Sequence, residues 1–196
     1  MSERIQNVQP KEWNGTKYRS TLEAETAQTL TALGIPFEYE PRKITLQDGF
    51  RSPFQKDKVR ALTYTPDFII GSIMLECKGF ETPEWKIKKK LIFKYLMENE
   101  PDVIFHQTHD AKKSLLEALD PHWPCLGFCI EASPKPKKSR SLSCDSITVP
   151  IKFNSVWQAM QELHLKGKAV GPILNSLTGE REYVYGYKWS LLKIKM

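Results

Sequence analysis

The residues Thr63-Tyr64-Thr65-Pro66-Asp67-Phe68-Ile69-Ile70 and Ile73-Met74-Leu75-Glu76-Cys77-Lys78 stand on either side of Gly71-Ser72. Both runs are short, apolar and β-prone, and the two residues between them suit a tight turn. The pattern therefore predicts an antiparallel hairpin. Alternation puts Glu76 and Lys78 on one face of the second strand and Leu75 and Cys77 on the other. Pairing brings Asp67 beside Glu76. Two acids on otherwise apolar strands are costly unless something compensates their charge. Together they make an oxygen-rich site for Mg²⁺, which prefers carboxylate and water ligands. Such an ion activates water and neutralises charge in phosphodiester hydrolysis, and Lys78 is placed to orient that water or steady the same charge. The pattern alone also admits a plain reading, since Glu-x-Lys is common and such a pair on one strand face often forms a solvated ion pair.

Upstream, Ser20-Thr21-Leu22-Glu23 fits a capping box, and Leu22, Ala27, Leu30 and Leu33 recur at helical spacing before Gly34, a left-handed stop. Glu23 is a candidate to complete the acidic shell, although the third residue of a capping box already has a structural role. Phe37–Leu46 is extended in character, and Gln47–Arg60 is a charged loop with a turn signal at Asp48-Gly49. Downstream, Pro83 opens a helix running to Asn99, with Ile87, Leu91, Ile92, Tyr95 and Leu96 as its buried stripe. Lys86, Lys90 and Lys94 repeat every four residues, with Lys88 and Lys89 beside them. After a candidate metal site, Lys86, Lys89, Lys90 and Lys94 suit the tracking of DNA phosphates, and they equally suit a solvated face. Val103–Gln107 reads as a strand, His109–Leu119 as a helix and Cys125–Glu131 as a last strand. The order αβββαβαβ defines an α/β fold, a mixed central β-sheet flanked by helices.

Residues 133–146 break this rhythm with Pro134, Pro136, three lysines, Arg140 and five serines, and read as a basic linker. Beyond it, a strand at Ile147–Ile151 and a helix at Ser155–His164 precede the basic turn Lys166-Gly167-Lys168. A second short helix, started by Pro172 and stopped by Gly179, leads to a strand-prone run from Tyr183 to Ile194. Two short helices across a Gly-containing turn predict a helix-turn-helix. The expected division is 1–132 as core, 133–146 as linker and 147–196 as a small module. Residues 1–132 carry 18 Lys/Arg against 19 Asp/Glu, a balance of −1, and residues 133–196 carry 11 against 4, a balance of +7. A basic appendage on a near-neutral domain is the footprint expected of phosphate-backbone binding, which adds Lys166 and Lys168 to the DNA-contacting candidates.

Other classes find little support. Cys77, Cys125, Cys129 and Cys144 are too few and too irregular for a disulfide framework, and idle thiols suit them better than a zinc site built on Cys125, Cys129 and His122. His106, His109, His122 and His164 form no Ser/His/Asp pattern, and no Gly-rich phosphate loop is visible. No run approaches the roughly 20 apolar residues of a membrane span, and the polar N-terminus lacks an apolar signal core, so a cytoplasmic protein is expected.

Leu22-Glu23, Gly34-Ile35-Pro36-Phe37-Glu38-Tyr39-Glu40, Thr63-Tyr64-Thr65-Pro66-Asp67-Phe68, Glu76-Cys77-Lys78-Gly79 and the basic Lys86–Lys90 run share a further property. Together they resemble the junction-resolving endonuclease I of T-odd bacteriophages, in the PD-(D/E)xK nuclease superfamily. The resemblance implies a restriction-endonuclease-like core in which Glu23, Asp67 and Glu76 are ligands of Mg²⁺ or Mn²⁺ and Lys78 is the polar catalyst. It also raises a homodimer, because a short bridging segment in that family supports a swapped pair; the corresponding Pro41–Leu62 is longer here. Phe153-Asn154-Ser155-Val156 through Gly186-Tyr187-Lys188-Trp189 resembles the helix-turn-helix repeats attached to phage and intron-encoded homing endonucleases. The reading favoured by these resemblances is a metal-dependent, site-specific endonuclease of homing type, cutting duplex DNA bound by the C-terminal module. Resolution of branched DNA and non-catalytic DNA binding are the alternatives.

Overall fold

The computed structural model describes residues 9–135, 149–165 and 170–194. The chain divides into two compact units, Met1–Leu30 with Ile35–Asp110, and Thr31–Gly34 with Ala111–Met196. Both mix helices and strands, so the coarse α/β class holds.

The first unit opens with a hairpin outside the expected elements. Strands β1 (Lys11–Trp13) and β2 (Thr16–Tyr18) pair antiparallel. The turn residues Asn14 and Gly15 have φ of 48° and 74°, which is what a two-residue I′ turn requires and why Asn-Gly is favoured there. Helix α1 (Thr21–Ala32) follows, its first turn capped by Ser20 Oγ, which accepts from Glu23 N at 3.2 Å. It stops as expected at Gly34, φ 68°, where Gly34 N donates to Thr31 O and Ile35 N to Leu30 O. That bond pair is a Schellman stop.

Then come β3 (Glu38–Tyr39), β4 (Ile44–Gln47), β5 (Leu62–Tyr64), β6 (Phe68–Ile70), β7 (Ile73–Cys77), α2 (Pro83–Asn99) and β8 (Ile104–Thr108). The four-stranded sheet has the order β3-β6-β7-β8, with β7 and β8 parallel and the other pairs antiparallel. The expected Thr63–Ile70 strand is divided, because Pro66 has no N–H to give to a ladder. Its first half, β5, pairs with β4, while Phe68–Ile70 alone pairs with Ile73–Leu75 across Gly71-Ser72. Phe37–Leu46 is likewise two strands, separated where Glu40 turns to φ 45°.

The two helices take opposite faces of β7. Thr26 Oγ1 on α1 lies 3.5 Å from Cys77 Sγ, whereas Met74 belongs to a cluster with Ile44, Tyr64, Trp85, Ile92 and Leu96. Thr82 caps α2, accepting from Trp85 N at 3.1 Å. Of the expected stripe, Ile92 and Leu96 are buried and Leu91 and Tyr95 half-buried, but Ile87 is 64% exposed and Trp85 takes its place on the buried face of α2.

In the second unit, α3 (Lys113–Leu119) starts later than expected, after Thr108 Oγ1 has closed a bend onto Asp110 O at 2.6 Å. It is followed by β9 (Phe128–Pro134), β10 (Ile151–Phe153), α4 (Val156–Glu162), α5 (Val170–Leu177) and β11 (Tyr187–Lys193). The sheet order is β10-β9-β11, all antiparallel. The strand expected to end the core domain is thus the centre of a separate sheet, where Phe128, Ile130 and Ala132 alternate inward. Ser133 and Pro134, expected in the linker, continue that strand opposite Lys188 and Tyr187. The rest of the expected linker, from residue 136, lies outside the described residues, as do Cys144, Lys166 and Lys168. Helices α4 and α5 pack on one another, but the basic turn of the expected helix-turn-helix falls in that undescribed stretch. Cys77, Cys125 and Cys129 are free thiols. No helix of the described residues is long and apolar enough to cross a membrane.

One buried acid ties this unit together. Asp120 Oδ1 accepts from Val156 N at 2.8 Å and from Trp123 Nε1 at 2.9 Å, so it caps α4 from a distant turn. Asp120→Ala leaves both donors unpaired in a buried setting. We expect a loss of about 2–4 kcal/mol in urea unfolding, and a loss under ~0.5 kcal/mol would show that solvent reaches these donors.

Candidate active site

Where the Thr63–Ile70 run breaks, the chain delivers its acid. Asp67 directly follows Pro66, and its Oδ2 accepts from Cys77 N at 2.8 Å, an amide β6 no longer reaches. Asp67 O in turn accepts from Glu40 N at 3.0 Å, which fixes the backbone here. Glu76, one residue earlier on β7, is buried and accepts from Tyr64 Oη at 2.9 Å. Tyr64 is the last residue of β5, so the division of the expected strand places its hydroxyl on Glu76.

Burial pushes the Asp67 carboxyl up to about 8, with the charge of Glu76 adding to it and the Cys77 amide opposing. Burial also raises Glu76, to about 7, against the Tyr64 hydroxyl and the positive charges of Lys78 and Lys88. Lys78 continues β7, its amide donating to Thr108 O at 2.8 Å, and its Nζ lies 5.0 Å from the centre of the Trp85 ring. The Trp85 Nε1–H donates to Gln107 Oε1 at 3.0 Å, which fixes that ring.

Glu23 has a different environment. Its carboxylate accepts from Ser20 Oγ at 2.7 Å, from Arg19 N at 3.0 Å and from Tyr39 Oη at 2.6 Å. Tyr39 is held by ring contacts to Tyr18 and Phe68 at 4.6 and 5.3 Å. Glu23 therefore does hold the helix start, as its position in the sequence indicated, and it also faces the site.

Glu23, Asp67, Glu76 and Lys78 all line one cavity of about 1010 Å³. Among the described residues no three His, Cys, Asp or Glu side chains are grouped so that together they could hold a metal ion. Asp67 and Glu76 nevertheless fit a hard divalent ion, because Mg²⁺ is commonly held by one or two carboxylates with water completing the shell. The observation that supports the fit is that both carboxyls are buried in one lining, where ionising them is costly unless a cation offsets the charge.

Of the expected DNA-contacting lysines, Lys86, Lys89, Lys90 and Lys94 are not in this lining, and Lys166 and Lys168 lie outside the described residues. Lys86, Lys90 and Lys94 are exposed on the far face of α2, Lys94 paired with Glu98 at 3.8 Å, and Lys89 is paired with Glu81. The cations that do line the cavity beside Lys78 are Arg19, Lys43 and Lys88. Lys88 Nζ sits 5.5 Å from the Tyr64 ring centre, and burial holds its pKa below the ordinary lysine value. Only the phase of α2 separates Lys88 from its neighbours, and the Trp85-Ile92-Leu96 spacing carries that phase. We expect Lys88→Ala to weaken DNA binding about tenfold and lower the slope of log affinity against log salt by about one, with Lys86→Ala changing affinity less than about twofold. Equal effects in the two variants would place the phosphate track on the outer face.

Residues 5–116 match the family described as Phage endonuclease I. That match spans more than half of the chain, and the protein belongs to the phage endonuclease I family. The family is one of nucleases, which makes DNA the substrate class. No curated protein and no solved structure matches the chain.

Proposed function

We propose that the protein is a metal-dependent endonuclease that hydrolyses phosphodiester bonds within DNA, with Asp67, Glu76 and Lys78 as its reacting groups. The observation that carries this reading is one cavity holding a buried carboxylate pair and, in the same lining, Arg19, Lys43, Lys78 and Lys88. Asp67 and Glu76 would hold Mg²⁺ or Mn²⁺, with Glu23 at the cavity wall as a further ligand once released from Tyr39. The ion, when bound, lowers the pKa of water and neutralises negative charge on the phosphate. Tyr64 steadies Glu76 through its hydroxyl, and Trp85 packs under Lys78. Lys78 meets charge at the reacting phosphate, while Arg19, Lys43 and Lys88 bind flanking phosphates.

The resemblance to junction-resolving enzymes supports branched DNA as the substrate. Resolving a four-way junction takes two cuts, so a homodimer with two such sites accompanies this reading. A second reading is a site-selected duplex enzyme of homing type, favoured by the +7 balance of residues 133–196 and by the packed helix pair α4 and α5. Cleavage of matched linear, supercoiled and four-way-junction DNAs, with and without Mg²⁺, separates them. Preference for the junction supports resolution, and cutting of a plain duplex at one site supports the second reading. DNA binding without any Mg²⁺-dependent cutting would sink both.

A further inference from the structure

Three aromatic residues line the cavity, and two are spoken for. Tyr64 is buried with its hydroxyl on Glu76, and Trp85 is buried beneath Lys78 with its ring nitrogen on Gln107. The third, Phe80, is 68% exposed. Leaving a phenyl ring in water forgoes the gain of burying it, and most of the aromatic rings of this unit avoid that. Phe80 also lies two residues after Lys78, with Gly79 between them, and an added side chain at Gly79 would meet nothing within 4 Å.

We infer that Phe80 is a stacking platform for an unstacked nucleobase next to the phosphate that is cut. This rests on the nuclease reading and deepens it by naming the substrate feature that the site reads. Two residues of chain separate the Lys78 and Phe80 Cα atoms by at most about 7 Å, and both residues line the one cavity. A strand whose phosphate meets Lys78 therefore runs close to the Phe80 ring. In an intact duplex both faces of a base are covered by its neighbours, and no face is open to Phe80. At a branch, a flap or a splayed end a base face is open, and aromatic stacking on it tolerates any sequence. The cations Arg19, Lys43 and Lys88 in the same lining supply the backbone contacts that hold such a strand. The site thereby distinguishes branched from continuous DNA without reading a sequence.

The test uses the full-length protein and its Phe80→Ala and Phe80→Trp variants, with DNAs carrying 2-aminopurine beside a branch or within a plain duplex. Affinity and fluorescence are read without divalent metal, and cleavage with Mg²⁺. The exposed position makes both variants safe for folding. Phe80→Ala should weaken branched-DNA binding roughly tenfold and abolish the fluorescence change, leave duplex binding within about twofold, and be rescued by Phe80→Trp. Unchanged affinity and fluorescence in Phe80→Ala overturn the inference, as does equal weakening on branched and plain DNA. If wild type cuts nothing while the branch-selective stacking signal persists, the nuclease reading fails and the platform stands. If Mg²⁺-dependent cutting is intact and the signal ignores Phe80, the nuclease reading stands and the platform fails.

Discussion

Glu76→Gln should lower the rate of DNA cleavage at least 10³-fold, about 4 kcal/mol in barrier, while affinity measured without metal stays within a few-fold. The substitution is chosen for shape. Glutamine keeps an oxygen for the Tyr64 hydroxyl, which donates to Glu76 at 2.9 Å, so β7 and its contact to β5 are undisturbed. What disappears is one negative charge from a pair that has no other way to hold a cation. Asp67→Asn should behave alike, because the remaining carbonyl can still accept from Cys77 N. Lys78→Met should also abolish cutting, with metal-dependent stabilisation retained, since it removes only the polar group at the phosphate. Single-turnover cleavage of the preferred DNA, alongside binding by anisotropy, measures each effect. If Glu76→Gln cuts at the wild-type rate, the cavity is not the reaction centre.

The residues that gather in this cavity were legible because their signals are local. Glu76 and Lys78 share a face by strand alternation, Asp67 stands just before the strand that pairs with β7 across a two-residue turn, and Glu23 is at the start of a capped helix. What was not legible depends on partners far away in the chain. The split of Thr63–Ile70 follows from Pro66, which could be read, and from β4 claiming β5, which could not. The phase of α2 shows the same limit. Ile92 and Leu96 were readable as buried, but periodicity admits either Ile87 or Trp85 beside them, and only the cluster of Trp85 with Ile44, Tyr64 and Met74 chooses between the two. That choice turns Lys88 inward and the Lys86-Lys90-Lys94 stripe outward, so a phase difference in one helix redirects the assignment of phosphate contacts. Arg19 and Lys43 reach the cavity through chain reversals that no short window contains. The β1–β2 hairpin is a different matter, since Asn14-Gly15 is a strong turn signal in plain view.

The same buried pair should make the first unit lose stability as pH rises, and a divalent ion should reverse that loss. Burial pushes the carboxyls of the Asp67–Glu76 pair up to about 8 and about 7 in the folded protein, above their ordinary values of 3.8 and 4.5. Between those limits the folded state holds protons that the unfolded chain has released. The associated stability is complete below about pH 4, and it is lost as pH climbs through 7 and 8. The loss is of order a few kcal/mol, because burial accounts for most of both shifts and burial of a charge is what folding must accommodate. Mg²⁺ or Mn²⁺ binds the ionised pair and not the unfolded chain, so it stabilises by mass action and does so more strongly at pH 8 than at pH 5.5, where protons compete. Thermal melts at the two pH values, with Mg²⁺, Mn²⁺ or EDTA, should therefore show a metal-induced rise confined to the higher pH. In Glu76→Gln the melting temperature without metal should fall less on going to pH 8, and the rise with metal should vanish. A wild-type protein that is more stable at pH 8 than at pH 5.5 in EDTA would mean that the pair is already compensated by its own lysines. The cation would then have no electrostatic deficit to fill, and the cavity's acids would be ion-pair partners of Lys78 and Lys88 before they were ligands of anything.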